Sequence, residues 1–425
     1  MNSVSAQSFQ RFTLWQPLTV RDFRLLWLGQ GISLFGDQFY LVGLPWLALR
    51  ITGSGLALGT VLMVAGGARA TFQLVGGALS DRFSPRTLML GSNIVRAIVT
   101  IAITAVVLAD VTRLWHLYIL ALIFGVVDGF FVPAYMSVVP RLVTDELLPA
   151  GNALLRGTAR FMGLVGPAMA GLVISQQSLG MAFAIDAGTF VCATATVWLM
   201  KPQRADTDAE AETKRAASLS SAGLKGLFKS IADGLRYAWN QPLIRALFFF
   251  LAAIEFSFVG PSSVGLASLA KTRFEAEGAA ALGWMLSAFG GGMLVGMLVA
   301  GSIKVVRRRG LLAIGGTFVL GLGLTLVGVA PHVVWACITL AFVGLGGGLG
   351  NIMILALIQS KTDKQMLGRV MGLLLFAASV LEPLSYALAG LAADVNLTIL
   401  FVVGGGIMLV VTFISLMGGT LRSTD

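Results

Sequence analysis

About twelve long, continuous apolar runs constrain this chain more than any other feature. A helix rises 1.5 Å per residue, so about 20 apolar residues cross a hydrocarbon core roughly 30 Å thick. The runs fall at 23–49, 56–79, 87–109, 116–138, 153–175 and 180–200, then at 243–269, 280–303, 311–330, 333–358, 369–393 and 396–418. They do not alternate, and they are too long for the tilted strands of an outer-membrane barrel. Hydrophobic residues make up 56% of the 425 and charged ones only 12%, against about 25% charged in soluble domains. Too few polar residues remain to cover a soluble surface, and a disordered chain would be poorer in apolar residues.

The formal net charge of +10 follows from where the bases lie. Four of the 30 Lys and Arg (Arg50, Arg113, Lys271, Arg273) fall in loops on one side and two (Arg69, Arg96) inside spans. The others fall at the opposite side, which is the positive-inside bias of a membrane protein. This reading needs no nucleic-acid partner, and it places both termini in the cytoplasm. Met1 to Gln16 is polar, and the first apolar run is a full span rather than a short signal core. Cys192 and Cys337 lie in apolar runs and His116 and His332 at span ends. That spacing predicts neither a disulfide nor a metal site.

Residues 201–242 interrupt the runs with an acidic, then basic, Ala- and Ser-rich stretch. It reads as a linker. Its second part, Leu224 to Trp239, sets Leu224, Phe228, Ile231 and Leu235 on one helical face. Such a helix either lies on the inner membrane surface or is an ordinary solvated linker helix. The expected organisation is 1–200 as a six-helix unit, 201–242 as linker and 243–425 as a second six-helix unit. Weak echoes between the halves, such as Gly166-Pro167 and Glu382-Pro383, suggest duplication. Two related halves with a site between them is a transporter plan.

A charge at the bilayer centre costs about 2.5–3.5 kcal/mol on insertion scales, so such residues are functional candidates. The spans hold Asp37, Arg69, Arg96, Asp128, Asp186, Glu255 and Glu382. Asp37 and Glu255 occupy matching places in the first span of each half. Asn351 stands in span ten where Asp128 stands in span four. A carboxylate exposed alternately to two sides is able to carry protons. Structural readings stand beside the functional ones. Asp186 either pairs with Arg96 or caps a helix, Glu382 satisfies backbone groups freed by Pro383, and Arg69 is a counter-charge for one acid.

The run Gly344-Leu345-Gly346-Gly347-Gly348-Leu349-Gly350 fails the dinucleotide pattern at Leu349, and no strand precedes it. No Walker A sequence occurs. An intramembrane aspartyl protease would need a glycine where Leu34 stands, two before Gly36. An enzyme is therefore not expected, nor any cofactor.

Between spans two and three, Gly77-Ala78-Leu79-Ser80-Asp81-Arg82-Phe83-Ser84-Pro85-Arg86 resembles motif A of the major facilitator superfamily, with Ser84 where glycine is usual. The resemblance makes Gly77, Asp81, Arg82 and Arg86 gating residues. In span five, Gly163, Gly166, Pro167 and Gly171 resemble the antiporter-associated motif C, with Ala170 replacing one glycine. The motif B arginine is missing from span four. The opening Asp22-Phe23-Arg24-Leu25-Leu26-Trp27, together with Gly36-Asp37, Asp186-Ala187 and Gly368-Arg369-Val370-Met371-Gly372, is similar to the macrolide-efflux and enterobactin-exporter branch.

The resemblance implies an all-α integral membrane protein of about twelve transmembrane helices in two six-helix bundles, the major facilitator fold. It implies a monomer in the cell inner or plasma membrane that exports amphiphilic small molecules, such as drugs or siderophores, in exchange for protons. A lysophospholipid or other lipid transporter and an uncoupled facilitator are the alternatives. The fold is also expected to gather Asp37, Asp128, Glu255 and Asn351 around one central, negative volume, with Glu382 beside it.

Overall fold

The computed structural model describes residues 14–80, 84–201, 235–237, 239–302, 309–363 and 366–417, the side chains of 74–80 and 375–376 excepted. Twelve helices among them are long and apolar enough to cross a membrane. The first six are α1 (Arg21–Thr52), α2 (Gly55–Ser80), α3 (Pro85–Leu108), α4 (Leu114–Leu142), α5 (Leu148–Gln176) and α6 (Leu179–Leu199). The second six are α7 (Pro242–Thr272), α8 (Ala279–Ser302), α9 (Arg309–Gly328), α10 (Val333–Lys361), α11 (Leu367–Val395) and α12 (Leu397–Met417). The segment expected as a linker helix lies mostly outside the described residues; of its apolar face, Leu235 is described and is exposed.

Local chemistry sets where the helices start and stop. Ser84 caps α3 by accepting from Thr87 N at 3.1 Å, and Ser178 caps α6 by accepting from Met181 N at 3.1 Å. Gly53 ends α1 at φ 67, a left-handed conformation that suits glycine. The two histidines do matching work at the fourth helix of each half. His116 Nδ1 accepts from Arg113 N at 2.9 Å at the start of α4, and His332 Nδ1 accepts from Trp335 N at 3.2 Å at the start of α10.

The α7 helix contains a π-turn at Pro261–Gly265. Pro261 has no N–H, and a turn of this kind leaves backbone groups to be satisfied. Ser385 of α11 supplies both needs, accepting from Gly260 N at 2.8 Å and donating to Phe256 O at 2.6 Å.

The helices form two six-helix bundles. In the first, α1 packs on α5 and α6, α2 on α4, and α3 on α4 and α6; in the second, α10 packs on α8 and α9, α9 on α12, and α7 on α11 and α12. The bundles meet along two seams, α2 with α11 and α5 with α8. Large apolar side chains such as Leu298, Val410 and Phe413 stand exposed on the outside, as a lipid-facing surface allows. Exposed tryptophans mark both ends: Trp15, Trp198 and Trp239 at the end where α1 begins, and Trp115 and Trp335 at the other. These ends are called proximal and distal below.

The distal end is fastened. Lys271 at the end of α7 donates to Leu49 O of α1 at 2.7 Å. Asp394, at the distal end of α11, accepts from the Ser54 hydroxyl at 2.6 Å, from Gly55 N, and from Leu56 N at 3.1 Å. It therefore caps α2 from the opposite bundle, where the helix dipole favours a negative charge.

Candidate functional site

The first cluster lies inside the first bundle. Arg96 of α3 forms an ion pair with Asp128 of α4. Its guanidinium is almost fully buried, 4.6 Å from the Phe131 ring centroid and 5.6 Å from that of Phe190. Asp37 of α1 and Asp186 of α6 both lie within electrostatic reach of this same guanidinium. Asp186 is 0% exposed and neither of its oxygens has a hydrogen-bond partner. It is pressed against α1 beside Gly36, where even one added carbon would meet Asp186 Oδ1 at 2.8 Å. Arg96 thus pairs with Asp128 rather than with Asp186, and Asp186 caps no helix end. Three carboxylates share one base. Tyr40 stacks on Phe124 at 4.4 Å nearby, and its hydroxyl is buried without a partner.

A second cluster joins the bundles. Arg69 of α2 pairs with Glu382 of α11, and the Tyr386 hydroxyl donates to the other Glu382 oxygen at 2.6 Å. The counter-charge expected at Arg69 is present. Glu382 does not serve the backbone freed by Pro383, because both its oxygens are taken by side chains.

Tyr40 and Tyr386 both line a cavity of about 160 Å³ between the bundles. Leu44 and Leu62 face it from one bundle, and Phe258 and Phe289 from the other. Its polar side-chain groups are the hydroxyls of Tyr40, Ser262, Ser263 and Tyr386, and no charged residue lines it. A second cavity, of about 190 Å³, lies among α7, α10 and α11 and is lined by Glu255 and Asn351. Among the described residues, these candidates divide as follows. Asp37 and Asp128 belong to the Arg96 cluster, Glu255 and Asn351 share a cavity, and the cavity between the bundles is uncharged.

The motif C segment runs down the α5–α8 seam. The Gly163 carbonyl faces Gly290, the Pro167 carbonyl faces Gly283, and Gly171 faces the Ala279 carbonyl and Gly283. Gly166 lies against Gln38 of α1, where a side chain would collide. Ser287 of α8 accepts from Ala168 N at 2.9 Å across the same seam. Of the motif A residues, Asp81 and Arg82 lie outside the described residues and Gly77 is described only as part of α2. Arg86 donates to Val197 O at 3.1 Å and Trp198 O at 2.6 Å. It thereby meets the carbonyl end of α6 in its own bundle rather than a carboxylate.

Sequence reasoning passed over Tyr40, Tyr386, Ser287, Ser385 and Asp394. Tyrosine is scarce here, with five in the chain, and two in the middle of apolar runs were a usable signal. Asp394 gave none, because an acid at a span end is ordinary.

A family model described as Major Facilitator Superfamily matches residues 26–385 and 269–422. The chain belongs to the Major Facilitator Superfamily. Within the superfamily it is similar to macrolide efflux protein A of Streptococcus pyogenes, 25% identical over 416 residues covering 95% of this chain and 97% of that one. It is 24% identical to the multidrug efflux pump Tap of Mycolicibacterium fortuitum, over 84% of this chain and 86% of the pump. It is 25% identical to the enterobactin exporter EntS of Escherichia coli O1:K1 / APEC, over 83% and 80%. A crystal structure of a POT family transporter in complex with 5-aminolevulinic acid superposes with a TM-score of 0.70 at 15% identity, covering 96% of this chain and 97% of that one. A second, of peptide transporter POT in complex with sulfate, gives 0.71 at 14% identity over 97% and 99%. At that identity the likeness is one of superfamily fold.

Proposed function

We propose that this protein is a proton-coupled exporter of amphiphilic small molecules, working by alternating access of the cavity between its bundles. The observation that carries this reading is the pairing of an apolar, hydroxyl-dotted cavity with an acid cluster directly behind Tyr40. An acid in excess of its counter-charge is a place to hold a proton, and Asp37 sits on α1, the helix that also brings Tyr40 and Leu44 to the cavity wall. The efflux activity in the names of its relatives supports export. The basic residues Arg21, Arg24, Arg86, Arg141, Arg156, Lys361 and Arg369 gather at the proximal end, which supports a cytoplasmic assignment for that end. The fastened distal end supports a state closed on the side away from the cytoplasm.

Reconstituted vesicles with an imposed pH gradient test the proposal. Wild-type protein is expected to move an amphiphilic dye against its gradient only while the pH gradient lasts. Asp37→Asn is expected to retain dye binding and lose gradient-driven transport. Transport in Asp37→Asn that still follows the pH gradient removes Asp37 as the coupling group, and wild-type transport indifferent to pH makes the protein an uncoupled facilitator.

A groove of about 210 Å³ among α7, α11 and α12, lined by Leu388, Ile399, Val403 and Ile407, favours a second reading, carriage of a lysophospholipid. That reading expects a lysolipid to displace the dye at saturation; no displacement argues for the drug-like class.

A further inference from the structure

The cavity among α7, α10 and α11 differs in kind from the one between the bundles. Its wall is apolar (Phe248, Ile354, Ile358 and Met371 among others) except for the Glu255 carboxylate and the Asn351 carboxamide, and among the described residues no basic side chain lines it. Glu255 is half-buried. The acid that acts on it electrostatically, Glu382, is already held by Arg69 and Tyr386, so it offers an incoming amine no free competing site.

The two cavities are neighbours along the same helices. On α7, Glu255 lines one and Phe258 the other, three residues or about 4.5 Å of rise apart. On α11, Ala378 lines the first and Tyr386 the second, with Glu382 midway. Eight residues at 1.5 Å make about 12 Å, which a short flexible chain spans.

One carboxylate and one amide in an apolar wall cannot supply the six or more oxygens that a hard divalent cation takes. They suit an alkylammonium group, which needs few acceptors and carries apolar substituents of its own. A hydrogen bond from an ammonium to a carboxylate is charge-assisted and stronger than one between neutral groups.

We propose that Glu255 and Asn351 form an ammonium subsite that holds the charged head of an organic amine, while the apolar body of the same molecule occupies the cavity between the bundles. This rests on the exporter reading only for its transport consequence; the binding stands alone. The site selects amphiphiles by the separation of amine and apolar group rather than by overall shape.

Dansylcadaverine tests it, because N-acetylation removes its one charge and leaves the apolar body and five-carbon spacer in place. Fluorescence titration of the purified full chain in lipid nanodiscs is expected to give the amine about ten- to a hundredfold tighter binding than the acetyl compound, the range of one charge-assisted hydrogen bond. Glu255→Gln is expected to bring the amine down to the acetyl compound's affinity. Asn351→Asp, which adds a second carboxylate, is expected to widen the preference, and Glu255→Asp to keep it. The last two variants carry the test should the glutamine variant not fold. Equal affinity of the two compounds for wild-type protein overturns the proposal, as does a preference that survives Glu255→Gln or fails to widen in Asn351→Asp. Gradient-driven efflux of the acetyl compound reads the exporter function separately. Efflux without charge preference sinks the subsite alone, and charge preference without efflux of either compound sinks the exporter reading alone.

Discussion

One guanidinium, Arg96, faces the carboxylates of Asp128, Asp37 and Asp186 in the first bundle. Removing the base leaves buried acids with no counter-charge, and breaking a buried pair in this way costs about 3–5 kcal/mol. Arg96→Met is therefore expected to lower the thermal midpoint in detergent by several degrees. Adding Asp128→Asn to that variant should restore much of the loss, and strict additivity of the two changes would argue that the pair contributes little. The partners were not legible in the sequence. Arg96 and Asp128 are 32 positions apart, and Arg69 and Glu382 are 313 apart. Which acid meets which base depends on how helices are rotated, and helices that are apolar on every face carry no periodic signal of rotation. That a charge sat in a span was plain from the residues; which charge it answered was not.

At the scale of the helix, the spans themselves were legible because length and apolarity suffice. Their ends shifted by a few residues wherever a cap or a backbone irregularity intervened. Expected to end at 269, α7 runs to Thr272 because the π-turn at Pro261–Gly265 carries the helix on and Ser385 repairs its hydrogen bonds. Ser385→Ala leaves the Gly260 N–H and the Phe256 carbonyl unpaired, at about 1–3 kcal/mol, and should show as faster hydrogen exchange confined to residues near 256–260. The cavity walls were not legible. Phe258 and Phe289 have the same composition as the phenylalanines that face lipid, and only packing separates them. The α5–α8 seam was better signalled, since Gly163, Pro167 and Gly171 stood at four-residue intervals. Gly283→Leu would drive a side chain into the Pro167 carbonyl and should abolish transport while the protein still inserts, as read by vesicle flux and membrane yield.

Across the whole molecule, the distal fastening joins bundles that the proposed alternating access would have to separate. Asp394 takes three donors from the start of α2, and Lys271 takes a carbonyl from the end of α1. Asp394→Asn weakens the first by removing its charge from a helix N-terminus, an effect of about 0.3–2 kcal/mol. In a cysteine-free background carrying Ala393→Cys, which faces Gly55 across this seam, this variant is expected to react about two- to thirtyfold faster with a membrane-impermeant thiol reagent added on the distal side. An unchanged rate would mean that Lys271 and the surrounding packing hold the end shut without Asp394.

The two seams between the bundles differ in what they demand of motion. Along α2 and α11 there are specific bonds, an ion pair near the middle and a capped helix at the distal end, which the proposed cycle would have to break and remake. Along α5 and α8, bare backbone meets bare backbone at Gly163, Pro167 and Gly171, with few side chains to interlock. One edge works as a clutch and the other as a bearing. The molecule should then swing about α5 and α8 like a book about its spine, with its pages parting first at α2 and α11.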